Sequence, residues 1–230
     1  MQISIKEAIL EIEMFQKINS STFHMLANSG ALKTFQKGVH VFRDREEVHT
    51  IYFIISGFVT LYKIDSLGEK KVIFVFGKNA MINEDIFQES TASISCEVQE
   101  RAILLCFPKR LFLQAVEQDF ELSKAVQNAM SLKIRRLYRQ LKNTSNSLRV
   151  DKRIAAKLWK LANDYGKQQE NGTLINLEIS ITYLSDMLAS KRETVSRQVK
   201  LLAEKGLIIV QKGHFVIPDM KALSDYFKNE

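Results

Sequence analysis

The spacing of apolar residues changes twice along this chain, and the changes mark its parts. Over about residues 5–29 the spacing is helical: Ile9, Leu10, Met14 and Ile18 recur on one side. Asn19-Ser20-Ser21 then offers a cap for a second short helix holding Phe23 and Leu26. From about Leu32 to Phe107 the helical period is lost. Short runs rich in Val, Ile, Phe, Tyr and Thr take its place: KTFQ, VHVF, HTIYFIIS, FVTLYKI, KKVIFVF, SISCEVQ and AILLCF. Turn residues separate them, among them Lys37-Gly38, Gly57, Asp65-Ser66-Leu67-Gly68 and Gly77. Many short strands at a spacing near ten residues predict an antiparallel β-barrel or jelly roll and not βαβ units.

From Pro108, a residue suited to a helix's first turn, the pattern is helical again. A short helix runs through Ala115, and a longer one is expected from near Asp119 to about Asn143. In the longer one Leu122, Val126, Met130, Ile134, Leu137 and Leu141 form one apolar stripe, opposite Lys133, Arg135, Arg136, Arg139 and Lys142. A stripe of this kind packs either on its own core or as a coiled-coil-like seam between two copies. Another helix is expected from about Val150 to Tyr165, followed by a polar loop, GKQQENGT, and a short strand, LINLEIS. The fold class is therefore α+β: an N-terminal antiparallel jelly roll or barrel, a long helix, and a C-terminal helical domain.

Residues 180–206, SITYLSDMLASKRETVSRQVKLLAEKG, carry the functional signal. Ser180 is a good N-cap for a helix with apolar Leu184, Met187 and Leu188. Ala189-Ser190-Lys191 makes a tight turn, and a second helix starts near Lys191 or Arg192 and packs through Val195, Val199 and Leu202. Two short helices joined by such a turn describe a helix-turn-helix. After Gly206, LIIVQ, the two-residue turn Lys212-Gly213 and HFVIP read as a β-hairpin wing. The second helix offers Arg192, Glu193, Ser196 and Arg197 to bases: Arg can bond guanine bidentately, and Glu can accept from a cytosine amino group. Ser180, Thr182, Lys191, Thr194 and Lys200 suit phosphate contacts, which set register without reading sequence. The plain alternative is a solvated helix whose Glu193 and Arg197 form only an i, i+4 ion pair.

Charge sharpens this picture. Met1–Leu132 holds 14 basic and 16 acidic residues, Lys133–Leu148 holds five basic and no acidic ones, and Arg149–Glu230 holds 14 and 10. The whole positive excess of +7 thus lies in the second half, where a polyanion would be met. The chain lacks an apolar run long enough to span a bilayer, and its N-terminal stretch carries Glu7, Glu11 and Glu13, unlike a signal peptide. A cytoplasmic protein with no membrane partner is expected. Two cysteines, Cys96 and Cys106, make neither a disulfide framework nor a metal motif. Neither a P-loop, a GxSxG elbow nor a nuclease- or deaminase-like metal cluster is visible, so the chain is read as no enzyme, with no cofactor and no catalytic residues.

The stretch SKRETVSRQVKLLAEKGLI closely resembles the recognition helix of the Crp/Fnr family of transcription regulators. The resemblance extends over FQKINSSTFHMLA, KGVHVFRDREEVHTIYFIISGFVTLYKIDSLGEKKVIFVFGKNAMI, the long helix and the winged end. It implies three parts: a sensor barrel with flanking short helices over 1–118, a dimerisation helix and hinge over 119–148, and a winged helix-turn-helix over 149–230. It also implies a homodimer on double-stranded DNA with an inverted-repeat site, RNA polymerase as a partner if the protein activates, and a small-molecule effector. Glu193 and Arg197 match the family's pair for a TGA half-site core. Arg192 matches the extra Arg of the cyclic-AMP-responsive branch, and Ser196 the Ser of the oxygen-responsive branch, which leaves the outer base of the half-site open.

The sensor half departs from both branches. The cyclic-nucleotide branch has a Gly-Glu pair and then an Arg-Ser for the phosphate; here Glu84 is present, but Asn83 stands for the Gly and Ala92-Ser93 for the Arg-Ser. Met81–Gln99 contains no Lys or Arg, and a phosphate buried there without a cation would be strongly unfavourable. Glu84, Ala92 and Ser93 are taken as the candidate effector pocket, for a ligand other than cyclic AMP. No N-terminal cysteine cluster is present for iron–sulfur, and His24, His40, His49 and His214 are scattered where heme would need an axial ligand.

Overall fold

The computed structural model describes residues 3–83, 87, 91–143 and 149–228, with side chains of 141–143 excepted. Glu84, the side chain of Leu141 and the expected hinge at 144–148 therefore lie outside the described residues. Contacts divide the chain into two units, Met1–Lys63 with Phe74–Asn143, and Ile64–Ile73 with Thr144–Glu230.

The first unit begins with α1 (Ile5–Glu11), capped by a reciprocal pair in which Ser4 and Glu7 each bond the other's backbone N–H. A single 3-10 turn (Glu13–Phe15) and α2 (Ser20–Ser29) follow, the latter capped by Asn19 as its position predicts. Next in the chain come β1 (Ala31–Phe35), β2 (His40–Phe42), β3 (Thr50–Ile64), β4 (Lys70–Phe76) and β5 (Ser95–Pro108), of which residues 64 and 70–73 are grouped with the second unit. They form one antiparallel, jelly-roll-like sheet ordered β1-β5-β3-β4, with β2 also on β5.

Runs that the sequence separates are fused here. HTIYFIIS and FVTLYKI are one strand, β3, and SISCEVQ and AILLCF are one strand, β5. Gly57 is a bulge and not a hairpin corner. Its φ is +82°, the register with β5 shifts on both sides of it, and an added Cβ would lie 2.4 Å from the Arg101 carbonyl oxygen. Two long strands thus bend together without ending.

After β5 come α3 (Lys109–Gln118) and α4 (Phe120–Asn143). Asp119 caps α4, its carboxylate accepting from the backbone N–H of Glu121 and Leu122, and also from that of Asn19 at 2.8 Å. One acidic side chain thereby ties the starts of α2 and α4 together. The core is aromatic: Phe15, Phe53, Phe107 and Phe112 pack at ring-centroid distances of 4.9 to 6.5 Å. Leu122 and Val126 are fully buried in this same cluster, and Met130 packs against it half-buried.

The second unit contains α5 (Val150–Tyr165), β6 (Gly166–Gln169), β7 (Gly172–Ile175), α6 (Ile181–Leu188), α7 (Arg192–Glu204), β8 (Ile209–Gln211), β9 (His214–Ile217) and α8 (Met220–Lys228). A four-stranded sheet runs β6-β7-β9-β8. The polar stretch expected as a loop is instead a strand: Gly166–Gln169 pairs with Gly172–Ile175, and the LINLEIS strand stops at Ile175. Backbone pairing here overrides the polar side chains, all exposed on β6. The helix α8, which the sequence reading did not anticipate, is capped by Asp219. It packs on α5 through Trp159, which stands edge-on to Phe227 and donates its indole N–H to the Met220 carbonyl.

Candidate nucleic-acid interface

The α6–turn–α7 unit takes its form from residues whose roles are local. Ser180 caps α6, its hydroxyl oxygen accepting the Tyr183 N–H at 3.0 Å. Tyr183, Leu184, Met187 and Leu188 are buried on α6, and Val195, Val199 and Leu202 on α7. The turn is made by Ala189 in the left-handed region, at φ 46° and ψ 55°, followed by Ser190 and Lys191. Arg192 opens α7 with Lys191 as its N-cap, within a residue of the expected start.

Once α7 buries its Val195, Val199 and Leu202 stripe, its other side is set by helical geometry. Arg192, Glu193, Ser196, Arg197 and Lys200 are all exposed, as is Lys191 just before them; Thr194 is half-buried. Within the described residues the side chains of Glu193 and Arg197 make no ion pair or hydrogen bond with each other or with any neighbour. The simple i, i+4 ion pair is therefore not what holds them. Lys200 lies 3.9 Å from Glu204, an exposed contact of little energy. Ser180 and Thr182 are exposed at the start of α6, the Ser180 O–H still able to donate while its oxygen caps the helix. The wing is a two-residue hairpin as predicted: Lys212 and Gly213 have φ of 47° and 82° between β8 and β9.

Sequence reasoning missed one member of this region. Arg153 of α5 donates its Nη2 to the carbonyl oxygen of Leu188, at the end of α6. No local pattern marks it, because the contact spans two helices.

In the first unit, Ala92 and Ser93 line a small cavity of about 70 Å³, with Phe42, Ile51, Ile82 and Asn83 among its walls. Asn83 clamps this wall to β3: its side chain accepts from the Tyr52 N–H at 3.0 Å and donates to the Thr50 carbonyl at 2.8 Å. The expectation that this region lacks a cation needs correction. The cassette stretch itself has none, but Lys109 of α3 and Lys133 of α4 both reach the cavity. Lys133 Nζ lies 3.4 Å from the Ile82 carbonyl and over the rings of Phe74 and Phe76 at 5.4 Å. Tertiary folding imports charge that local spacing could not show.

The expected dimer stripe divides in two. Leu122 and Val126 have no exposed surface and belong to the subunit's own core, so they have none to give a partner. Ile134 and Leu137 are 46% and 38% exposed, beside exposed Leu132 and Tyr138. Both cysteines are buried; burial pushes the Cys96 thiol far up and Cys106 to about 11, so both stay protonated and unreactive near neutral pH.

Among the described residues no group of three or more His, Cys, Asp or Glu could hold a metal, and no helix is long and apolar enough to cross a membrane.

A jelly-roll-like sheet with a long helix, joined in one chain to a winged helix-turn-helix, is the architecture of a DNA-binding transcription regulator. Residues 32–119 match the cyclic nucleotide-binding domain, and residues 152–226 match the Crp-like helix-turn-helix domain. The chain is 24% identical over 204 residues to the anaerobic regulatory protein of Bacillus subtilis (strain 168), covering 87% of this chain and 84% of that one. It is 23% identical over 227 residues to a CRP-like cAMP-activated global transcriptional regulator of Mycobacterium tuberculosis, covering 95% and 97%. The solved structure of FixK2 from Bradyrhizobium japonicum superposes with a TM-score of 0.75 at 15% identity, over 85% of this chain and 96% of that one. The chain belongs to the Crp/Fnr family of transcription regulators, and like its relatives it is a regulator and not an enzyme.

Proposed function

We propose that this regulator works as a cytoplasmic homodimer that places α7 of each subunit in the major groove of an inverted-repeat site with TGA-containing half-sites. The observation that carries this reading is the exposed row Arg192, Glu193, Ser196 and Arg197, opposite the buried stripe of α7, with Glu193 and Arg197 unengaged by other side chains of the described residues. Arg192, Glu193, Ser196 and Arg197 read bases; Ser180, Thr182, Lys191, Thr194 and Lys200 meet phosphates. Residues 1–118 serve as the sensor domain, 119–148 as dimerisation helix and hinge, and 149–230 as the DNA-binding domain. The seam begins at Met130 and continues through Ile134 and Leu137. RNA polymerase is the further partner where the protein activates.

The cavity at Ala92 and Ser93 is the effector site in this reading, and its ligand is not cyclic AMP. Its volume of about 70 Å³ has room for roughly five waters, whereas sites for drug-sized ligands run to roughly 300 Å³ or more. The cAMP activation of the Mycobacterium tuberculosis relative does not carry over in this reading, because Ala92 stands where the resemblance puts the phosphate Arg.

Fluorescence anisotropy at physiological salt tests the DNA reading, with a duplex bearing inverted TGA-containing half-sites and a scrambled duplex. Preference for the first by about a thousandfold or more is expected of a specific regulator. Glu193→Ala should erase much of that preference; a variant that discriminates as well as the parent would overturn the base-contact assignment.

A further inference from the structure

The turn that launches α7 is held from outside the helix-turn-helix. The carbonyl oxygen of Leu188, the last residue of α6, accepts from two directions: Nη2 of Arg153 on α5, and the hydroxyl of Ser190 at 3.2 Å. The Ser190 N–H in turn bonds the Ser185 carbonyl at 3.2 Å, closing the turn around the left-handed Ala189. Arg153 lies in the first turn of α5, the helix that packs against α7 and against α8. Its guanidinium carries positive charge to the C-terminal end of α6, where unsatisfied carbonyls and the helix dipole favour it. The next residues in the chain are Lys191, Arg192 and Glu193, so whatever fixes Leu188 and Ser190 also fixes the first turn of α7.

Contacts to DNA differ in how much precision they demand. A phosphate is met by a flexible Lys or Ser from many angles, and its attraction falls slowly with distance. A bidentate base contact needs two short bonds in one plane, and a functional constellation loses its purpose when held more loosely than about 0.5 Å. A residue that anchors the turn without touching DNA should therefore act on base discrimination and leave general affinity alone.

We propose that Arg153 is a positioning residue for base reading: bonded to the α6 terminus, it sets the seat of α7 on α5 and so aims Arg192, Glu193 and Arg197. The inference rests on the reading of α7 as the base-reading helix. Its test uses the full chain with Arg153→Met, Arg153→Lys and Ser190→Ala, each on the inverted-repeat and scrambled duplexes over a range of salt. Arg153→Met should lose about tenfold on the inverted repeat, within the range of one good base contact, with unchanged affinity for the scrambled duplex and an unchanged salt slope. Arg153→Lys, which keeps a donor and a charge, should recover most of the loss, and Ser190→Ala should give a smaller loss of the same kind.

Equal losses on both duplexes with a salt slope shallower by about one would make Arg153 a phosphate ligand and overturn the proposal. An unchanged preference in Arg153→Met would overturn it as well. Should Arg153→Met fail to fold by thermal melting, an unchanged preference in both Arg153→Lys and Ser190→Ala would overturn it instead. Glu193→Ala run alongside separates the two readings. If it keeps the parent's preference, the base-reading role of α7 fails, whatever Arg153 does.

Discussion

Single side chains in this protein often do work that their type alone does not suggest. Asn83 clamps the neighbouring strand through its side chain, accepting from the Tyr52 N–H and donating to the Thr50 carbonyl. Asp151 is almost fully buried yet ionised: burial pushes its carboxyl up, but the Tyr226 hydroxyl at 2.6 Å and the nearby Arg149 outweigh that and hold it below the usual carboxylate value. Lys157 is the opposite case. Burial, with Lys160 and Arg153 adding like charge, lowers its ammonium to about 8 from 10.5. The unfolded chain then binds more protons between pH 8 and 10.5, so stability should rise with pH through that window and be flat below it. Lys157→Met should raise the melting temperature of the second unit at pH 7 by about 4 °C or more and abolish its rise above pH 8. Parallel urea titrations of variant and parent at pH 7.5 and 9.5 would expose the error if both gained equally with pH.

At the scale of elements, the two halves of α4 differ in what they bury. Its first turns bury Leu122 and Val126 in an aromatic core, and Asp119 pins its start to α2. Its later turns leave Ile134 and Leu137 exposed beside Arg135, Arg136 and Arg139. One substitution in each half should fail in a different way. Leu122→Ala removes packing inside the subunit and should cost about 2–5 kcal/mol of stability, read by denaturant melts. Leu137→Glu should leave the subunit folded but convert the dimer to monomer in sedimentation, taking specific DNA binding with it. A monomer that still discriminates the inverted repeat would refute the dimer seam. The strand β3 teaches the same lesson about elements: Gly57 looks like a corner in the sequence, yet it lets a 15-residue strand bend against β5.

At the scale of the whole molecule, charge and cavity size divide the labour. The excess of basic residues lies after residue 132, so DNA affinity should fall steeply with salt, while the first part adds no attraction of its own. The cavity beside Ala92 and Ser93 offers two lysines but little room. Cyclic AMP at millimolar concentration should therefore leave binding to the inverted repeat unchanged in the anisotropy assay. A tenfold rise in affinity on adding it would show that the cavity opens for a nucleotide and would reverse the reading of the effector. The sequence by itself determined whatever follows from period and local chemistry. The Val195, Val199 and Leu202 stripe dictates which side of α7 is left for Arg192, Glu193 and Arg197; Lys212-Gly213 dictates the wing turn; Asn19 and Ser180 dictate helix starts. Even α8 has a local signal, Pro218-Asp219 before Leu223 and Phe227. Only the tertiary structure decided which half of the α4 stripe is core, that Lys133 reaches the cavity wall at Ile82, and that Arg153 holds the turn before α7. Each of these joins residues far apart in the chain, and spacing along a sequence carries information only about neighbours within a turn or two.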